Sequence, residues 1–207
     1  RLRDYTADGV RRSLEASMRR LQVDRVDIVL VHDPDDHLDQ AAAEALPALA
    51  RLRDEGVVGA VGVGMNQWQG PLRLLETGLL DVVMLASRWT LLDRTGEALL
   101  DAGERHGASV VAAAPYASGL LATPRPVPGA TYEYQQAPPG LVERAAAMAD
   151  RCEAAGLTMP DAALQFALRR DVVSAVLAGL RDADEVAAAL ARLSTDVPEE
   201  VWHDLGA

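Results

Sequence analysis

The sequence predicts an α/β fold in which short strands alternate with helices and pair into a parallel sheet. Two observations predict it. Short aliphatic runs rich in β-branched residues recur along the chain, and most of them are followed by a segment with apolar residues at helical spacing. Strands connected in this way are joined by right-handed crossovers, so helices cover the faces of the sheet. Five such strands cannot close a barrel alone, and 207 residues are fewer than the roughly 250 typical of an eight-stranded α/β barrel.

The first half of the chain opens with an amphipathic helix, because Val10, Leu14, Met18 and Leu21 recur at helical spacing after a capping residue, Thr6. The aliphatic runs then predict strands over residues 26–31, 57–63 and 82–85. Helical periods predict helices over residues 40–55, 67–75 and 97–106. Glycines directly follow the first and last of these three helices, where helices commonly end.

The second half contains a long segment, residues 121–140, whose five prolines, together with Tyr132 and Tyr134, resist regular structure. Such a segment is either a lid or binding element, or a mobile insertion without function. Around it, the patterns predict strands over residues 109–113 and 172–177 and helices over residues 141–155, 160–169 and 183–193. A short helix follows Pro198.

The composition limits the partners and the compartment. With 31 acidic and 20 basic residues the net charge is -11, so we expect neither nucleic acid nor a membrane surface as a partner. No apolar stretch reaches the about 18 residues of a spanning helix. The single cysteine, Cys152, fits a reducing compartment, and we expect the cytoplasm. All 20 basic residues are arginine, so a mechanism that needs lysine must take it from elsewhere.

Polar residues follow all five main strands, where ligands bind in parallel α/β folds. These segments are residues 32–33, 62–68, 87–89, 115–119 and 178–182. Together they offer His, Asn, Arg, Trp, Tyr, Ser and backbone amides to one rim. After the last strand, Gly179 lets a ligand approach the backbone, the amides that open the helix at Ala183 can bind phosphate, and Arg181 adds a positive charge.

The cluster His-Asp-Pro-Asp-Asp-His at residues 32–37 has three interpretations. Histidine and carboxylate side chains are metal ligands, although no second cluster completes a coordination shell. The acidic residues are alternatively a solvated turn before a helix, an interpretation that suits Asp36. His32 differs because it directly follows a buried strand, and its ring can donate a hydrogen bond to a substrate oxygen.

The sequence resembles the aldo-keto reductases, and within them the aldose 1-dehydrogenases related to L-fucose and D-threo-aldose dehydrogenase. The resemblance rests on residues 21–35 (LQVDRVDIVLVHDPD), 52–66 (LRDEGVVGAVGVGMN) and 118–122 (SGLLA). It implies an α/β fold of the (β/α)8 TIM barrel type, of which we expect this chain to supply about strands 4 to 8 with their helices, as one domain over residues 1–207. It also implies hydride transfer between a nicotinamide cofactor, NAD or NADP, and a carbonyl or alcohol.

The resemblance implies roles for individual residues. His32 takes the position of the catalytic histidine, which orients and polarises the reacting oxygen. Asn66 matches the asparagine that holds the nicotinamide carboxamide. The cofactor is expected to contact Met65, Asn66, Ser118, Gly119, Leu120, Gly179, Arg181 and Glu185. The substrate is expected to contact Asp33, Trp68, Trp89 and Tyr116.

Two alanines depart from the family pattern near the nicotinamide. Ala86 stands where many relatives carry a glutamine for the carboxamide, and Ala113 stands where many carry a tyrosine stacked on the ring. Trp89 or Tyr116 is expected to supply ring contacts instead, although a lone tryptophan more commonly packs in a core.

Three further residues bear on the nucleotide end of the cofactor. Ala188 and Ala189 replace the usual Glu-Asn pair that contacts adenine. Glu185 stands where many NADP-dependent relatives carry an arginine. An acid there repels a 2′-phosphate and can accept a ribose hydroxyl, which favours NAD.

The family reaction also uses a tyrosine, a lysine and an aspartate from the first three strands of the barrel. This chain has no lysine, and Tyr5 does not match the family's tyrosine. We therefore expect either the carboxyl-terminal part of a larger protein or a shortened, non-catalytic relative. Three functions remain open: an oxidoreductase acting at C1 of an aldose or on another carbonyl or alcohol, a cofactor-binding or regulatory protein, and a metal-dependent hydrolase built on His32, Asp33 and Asp35.

Overall fold

The computed structural model describes residues 3–206, which form two compact units. The first unit comprises the chain up to Leu85 together with Gly96–Val111, and the second comprises Ala86–Thr95 and the chain from Ala112 onward. That residues 1–207 form a single domain stays a prediction. Residues 1, 2 and 207 of that range lie outside the described residues.

Helices and strands follow one another largely as the sequence predicts. The first elements are α1 (Ala7–Leu21), β1 (Val26–His32), α2 (Leu38–Gln40), α3 (Leu46–Asp54), β2 (Val58–Met65), α4 (Gln69–Leu75) and β3 (Val82–Ala86). They are followed by α5 (Glu97–His106), β4 (Ser109–Ala113), β5 (Thr131–Tyr132), β6 (Gln135–Gln136), α6 (Pro139–Ala154), α7 (Met159–Phe166), β7 (Val173–Leu177), α8 (Ala183–Leu193) and α9 (Glu199–Asp204).

Local chemistry explains where α1 begins and ends. The Oγ1 atom of Thr6 accepts a hydrogen bond from the N–H of Gly9 at 3.0 Å, which confirms the predicted cap. Asp8 places a negative charge in the first turn, where the helix dipole favours it. Gln22 then takes a left-handed conformation, with φ 57°, and ends the helix. Leu14 is buried on the apolar face of α1.

The strands of the first unit are parallel and in register. β1 pairs with β2 along its length, with His32 beside Gly64, and β2 pairs in turn with β3. A Cβ atom at Gly62 would lie only 2.2 Å from the carbonyl oxygen of Val82, so glycine allows this close approach of two backbones. The strand order continues from β3 to β4, and from β4 to β7. The parallel register brings the carboxyl ends of β1 and β2 to one edge of the sheet.

The predicted fold class, about strands 4 to 8 of a (β/α)8 barrel, is wrong as stated for this chain, because its described strands form an open sheet. A strand within a closed barrel has a neighbour on each side. β1 instead begins the strand order and is bonded to β2 alone among the described strands, and Ile28 near its centre is 54% exposed. The sheet is therefore open along β1, and nothing supports the assignment of these strands to barrel positions 4 to 8. The expectation of a buried strand directly before His32 fails for the same reason.

The second unit contains the segment predicted to be irregular, residues 121–140. Within it, β5 and β6 form a two-stranded antiparallel hairpin. Its tip residues, Glu133 and Tyr134, have φ values of 49° and 65°, as in the turns that suit tight hairpins. Neither is the glycine or asparagine that usually signals such a turn.

The core of each unit is aliphatic and tightly buried. In the first unit the fully buried side chains include Leu46, Leu49, Leu74, Leu75, Leu85, Leu99 and Leu100. In the second they include Leu91, Leu120, Leu121 and Met159. Within residues 3–206, no helix is both long and apolar enough to cross a membrane.

Candidate functional site

The first unit presents its polar groups at the carboxyl edge of the sheet. His32 is the last residue of β1, and Asn66 directly follows β2. Because His32 pairs with Gly64, two residues before Asn66, both residues lie at the same edge. The His32 side chain is 77% exposed, and Asn66 is also exposed. Both are therefore accessible to a ligand.

Met65 and Trp68, the two other predicted contacts on this segment, lie in different surroundings. Met65 is 4% exposed, and its methyl carbon would lie 2.8 Å from a Cβ atom placed on Gly70. Trp68 is partly exposed and directly precedes α4, where its carbonyl oxygen accepts from the N–H of Leu72 at 3.1 Å. The Met65 side chain thus belongs to the core beneath the edge, whereas Trp68 lies at the surface.

Tyr5 fixes the backbone that carries His32. Its hydroxyl lies 2.9 Å from the carbonyl oxygen of His32 and 2.7 Å from that of Asp33, so it donates its one proton to this pair of acceptors. The residue is 7% exposed. Burial is the main cause that raises the pKa of Tyr5, and the Asp33 carboxylate adds to it. The hydroxyl therefore stays protonated at neutral pH and acts as a structural donor.

Asp33 connects the strand end to the acidic turn that follows. It has a left-handed φ of 45°, and its N–H donates to the carbonyl oxygen of Gly64 at 3.0 Å. Its Oδ2 lies 3.5 Å from Nδ1 of His32, which places a negative charge beside the imidazole. Asp36 is exposed, as expected of a solvated turn. Within residues 3–206, no group of three or more His, Cys, Asp and Glu side chains could hold a metal ion.

The second unit contains two buried polar atoms without a hydrogen-bond partner among the described residues. They are Nε1 of Trp89 and the hydroxyl of Tyr116, on residues that are 6% and 9% exposed. The indole of Trp89 also packs on Phe166, with ring centroids 4.9 Å apart, as a core residue would. A buried donor without a partner costs about 1–3 kcal/mol. Both atoms are therefore donors without an acceptor among residues 3–206 in this conformation.

The turn after β4 carries three predicted cofactor contacts and is strained. Ala114, Ala117 and Ser118 have φ values of 56°, 47° and 58°, and Gly119 follows at 96°. A left-handed conformation costs a non-glycine residue roughly 1–2 kcal/mol. The N–H groups of Gly119 and Leu120 donate to carbonyl oxygens of the same turn. Ser118 and Gly119 are exposed, whereas Leu120 is buried.

The hairpin of β5 and β6 is bonded directly to this turn. The Oγ atom of Ser118 accepts from the N–H of Glu133 at 3.0 Å. The carbonyl oxygen of Ser118 accepts from Oγ1 of Thr131 at 3.2 Å. The hairpin therefore lies against a residue that is predicted to contact the cofactor.

Arg88 anchors the same hairpin from the carboxyl end of β3. Its guanidinium donates to Oδ2 of Asp93 at 3.0 Å and forms an ion pair with Glu133. The hydroxyl of Tyr132 also donates to Oδ2 of Asp93, at 3.3 Å. Burial acts to raise the pKa of Asp93, but hydrogen bonds from Thr95 and Arg88 outweigh it and hold that pKa below its usual value. Asp93 is therefore ionised, and the attraction of Arg88 for Asp93 and Glu133 is partly electrostatic.

The start of α8 is already occupied by its own carboxylates. Asp182 accepts from the N–H of Glu185 at 2.9 Å. Glu185 accepts from the N–H of Arg181 at 2.7 Å and from its Nε at 2.8 Å, and these bonds lower the pKa of Glu185. Gly179 is exposed just before this cluster. The charge of Arg181 predicted to meet a phosphate is thus paired with Glu185, and a phosphate must compete with that carboxylate.

Sequence reasoning missed the residues that hold these segments in place. Tyr5 is 28 positions from Asp33, and no motif connects them. The anchors Arg88 and Glu133 likewise lie on separate parts of the chain. One signal was available for the hairpin: Tyr132 within the proline-rich segment could have indicated a packed element, whereas Tyr134 is exposed.

Comparison with known proteins provides independent information. A model of the aldo/keto reductase family matches residues 2–207. D-threo-aldose 1-dehydrogenase from a Pseudomonas species is 35% identical over 204 residues, which cover 98% of this chain and 62% of that protein. Pyridoxal 4-dehydrogenase from Microbacterium luteolum is 32% identical, with coverage of 98% and 62%. The solved holo form of an aldo-keto reductase from Bacillus halodurans superposes with a TM-score of 0.83 at 26% identity, covering 99% of this chain and 68% of that one.

This chain belongs to the aldo/keto reductase family. The resemblance inferred from the three motifs is confirmed at this level, including its likeness to an aldose 1-dehydrogenase. The chain spans 62% of the length of the two curated relatives described. The partial coverage of the solved protein does not identify which of its strands are matched, so it gives no support to the predicted barrel positions.

Proposed function

We propose that this protein is an NAD(P)-dependent oxidoreductase that transfers hydride between nicotinamide and C1 of an aldose, or another carbonyl or alcohol substrate. Two relatives are named as dehydrogenases of D-threo-aldose and of pyridoxal. The observation that carries the proposal is the register of β1 on β2, which sets His32 and Asn66 at one edge of a parallel sheet. Ligands bind at this edge in parallel α/β folds. The nicotinamide, when bound, supplies or accepts the hydride.

His32 acts on the reacting oxygen in this proposal. Its exposed imidazole donates a hydrogen bond to that oxygen and polarises it, and Oδ2 of Asp33 lies 3.5 Å from Nδ1 of the ring. Tyr5 positions His32 by holding two successive carbonyl groups. The substrate or the nicotinamide ring contacts four further residues: Asp33, Trp68, Trp89 and Tyr116.

Asn66 holds the nicotinamide carboxamide, and the remaining cofactor contacts come from three segments. These remaining contacts are Met65, Ser118, Gly119, Leu120, Gly179, Arg181 and Glu185. We favour NAD over NADP because Glu185 already neutralises Arg181, so an added 2′-phosphate meets a carboxylate without a free guanidinium to offset it. We place the protein in the cytoplasm, with a small sugar or carbonyl compound as its substrate.

A second candidate is a non-catalytic cofactor-binding or regulatory protein. The observation that favours it is composition: the chain contains no lysine, and the family reaction uses one together with a tyrosine and an aspartate. The oxidoreductase proposal therefore requires these three groups from outside the 207 residues. The binding proposal does not require them.

The test combines turnover with binding. The full-length protein, with whatever residues lie outside these 207, is purified and assayed with a panel of aldoses and either NAD or NADP, while the absorbance of the reduced nicotinamide is followed. His32→Ala should lower kcat by about 10² because it removes the donor to the reacting oxygen. His106→Ala, at the end of α5, is the matched control and should leave kcat unchanged.

The outcomes separate the two candidates. Dinucleotide binding without turnover of any aldose, carbonyl or alcohol would favour the binding protein. An unchanged kcat in His32→Ala would remove this histidine from the mechanism. Failure to bind either dinucleotide would contradict both candidates.

A further inference from the structure

We propose that His37 is a positioning residue for His32 and acts on it through Tyr5, an inference that rests on the proposed function. His37 is the second histidine of the cluster at residues 32–37. It ends a short 3-10 turn, Asp35–His37, directly before α2. Its imidazole packs on the ring of Tyr5, with ring centroids 5.3 Å apart and ring planes tilted by 41°.

The side chain of Tyr5 is held at both of its ends. Its hydroxyl lies 2.9 Å from the carbonyl oxygen of His32 and 2.7 Å from that of Asp33, and its ring contacts His37. Tyr5 is 7% exposed, whereas His37 is exposed, so the imidazole covers part of a buried ring. The segment after β1 therefore folds around one tyrosine, which holds the first histidine by its backbone and contacts the second by its ring.

Backbone bonds return the chain from His32 to Tyr5. Asp33 is left-handed, with φ 45°, and its N–H donates to the carbonyl oxygen of Gly64 at 3.0 Å. The N–H of His37 donates to the carbonyl oxygen of Pro34 at 2.8 Å. Pro34 is buried, and its ring fixes φ at the start of the turn. The turn is therefore closed and stiff, so a contact made by its last residue restrains its first.

The contact bears on catalysis because packing restrains the ring of His32 very little. That side chain is 77% exposed, so its position depends on the backbone that carries it. Tyr5 holds this backbone, and without the imidazole of His37 its ring would be free to tilt away from both carbonyls. A small displacement of a catalytic group lowers the rate even when the altered residue makes no contact with the substrate.

The test compares His37→Ala, which removes the ring, with His37→Phe, which keeps an aromatic ring on Tyr5. Both are assayed in the full-length protein, at a temperature where circular dichroism shows every variant to be folded. We expect His37→Ala to lower kcat about three- to tenfold with KM little changed, and His37→Phe to retain most of the wild-type kcat. His106→Ala removes an exposed histidine at the end of α5 and is the matched control.

Amide hydrogen exchange follows the strand end without relying on activity. The N–H of Asp33 is bonded to Gly64, so its exchange reports how often the end of β1 opens. We expect this amide to exchange faster in His37→Ala than in wild type, and His37→Phe to restore the slower exchange.

A double-mutant cycle tests whether His37 acts through Tyr5. In Tyr5→Phe the hydroxyl no longer holds the two carbonyls, so adding His37→Ala should lower kcat by less than about twofold. Independent losses that multiply in the double variant would contradict the route through Tyr5.

Each result decides the inference. Equal kcat values for wild type and His37→Ala would overturn it while leaving the proposed function intact. Faster exchange of the Asp33 amide with an unchanged kcat would show that His37 supports the fold without positioning His32. A kcat as low in His37→Phe as in His37→Ala would overturn the role of the ring contact. If the wild type converts no aldose, carbonyl or alcohol, this inference and the proposed function fail together.

Discussion

Replacing Tyr5 with phenylalanine tests whether one hydroxyl holds the end of β1. The hydroxyl lies 2.9 Å from the carbonyl oxygen of His32 and 2.7 Å from that of Asp33, but it has one proton, so a single bond is shared between them. A hydrogen bond contributes about 0.5–1.5 kcal/mol net, and more is lost when a buried acceptor is left unpaired. Arg3 still donates to the carbonyl of Asp33 at 3.3 Å, which limits that loss. We expect the free energy of unfolding to fall by about 1–1.5 kcal/mol.

Urea denaturation measures this change, with the midpoint compared at a common m-value. Tyr134→Phe is the matched control: its ring is 95% exposed, so the same chemical change should stay within about 0.5 kcal/mol. In active protein, Tyr5→Phe should also lower kcat, because the strand end that carries His32 becomes looser. Equal midpoints for the two variants would refute the reasoning about stability. A lower midpoint with an unchanged kcat would show that the bond supports the fold without positioning His32.

Three further predictions follow from the charges and the buried thiol. Glu185→Gln should free Arg181 and tighten NADP binding relative to NAD, measured by titration of each dinucleotide; an unchanged ratio would contradict the proposed selectivity. Arg88→Gln should loosen the hairpin and speed chymotryptic cleavage at Tyr134, and high salt should do the same to wild type but little to the variant. Burial raises the pKa of Cys152 to about 11 from 9.0, so the folded state favours the thiol and loses stability as the pH rises from 9 to 11. Cys152→Ala should reduce this alkaline loss in urea denaturation, and a slope equal to that of wild type would refute it.

Elements whose ends are set by local chemistry were predicted closely from the sequence. The bounds of α5, β4 and α8 agree with their predicted ranges, because glycine or an acidic cap marks where each helix ends or begins. The burial of β1 was not predictable in the same way. An aliphatic run indicates that a strand is apolar. How exposed the strand is depends on whether it has a neighbour on each side, and β1 has one neighbour among the described strands.

The residues of the candidate site were likewise predictable where strand order places them and unpredictable where side-chain contacts do. His32 and Asn66 could be placed at the carboxyl edge from strand order alone, since parallel strands bring their ends together. Strand order does not predict the pairing of Arg181 with Glu185. The two residues are four positions apart in sequence, a spacing at which side chains can meet at the start of a helix. It changes the interpretation of both residues, because a guanidinium expected to meet phosphate is already bonded to a carboxylate. The hairpin anchors escaped prediction because they join segments that are distant in sequence.

Backbone strain is concentrated where the strands end. Asp33, Ser87 and Ala114 directly follow β1, β3 and β4, and all three are left-handed without being glycine. Each donates its N–H to the neighbouring strand at 3.0 Å, so the pairing continues for one residue while the chain turns out of the sheet. Glycine could make the same bond without the roughly 1–2 kcal/mol that a side chain costs there. Hydrogen bonding alone therefore does not explain the choice of residues. A side chain at these positions also reduces the conformations open to the unfolded chain, and the bond to the neighbouring strand holds the strained backbone in the folded one.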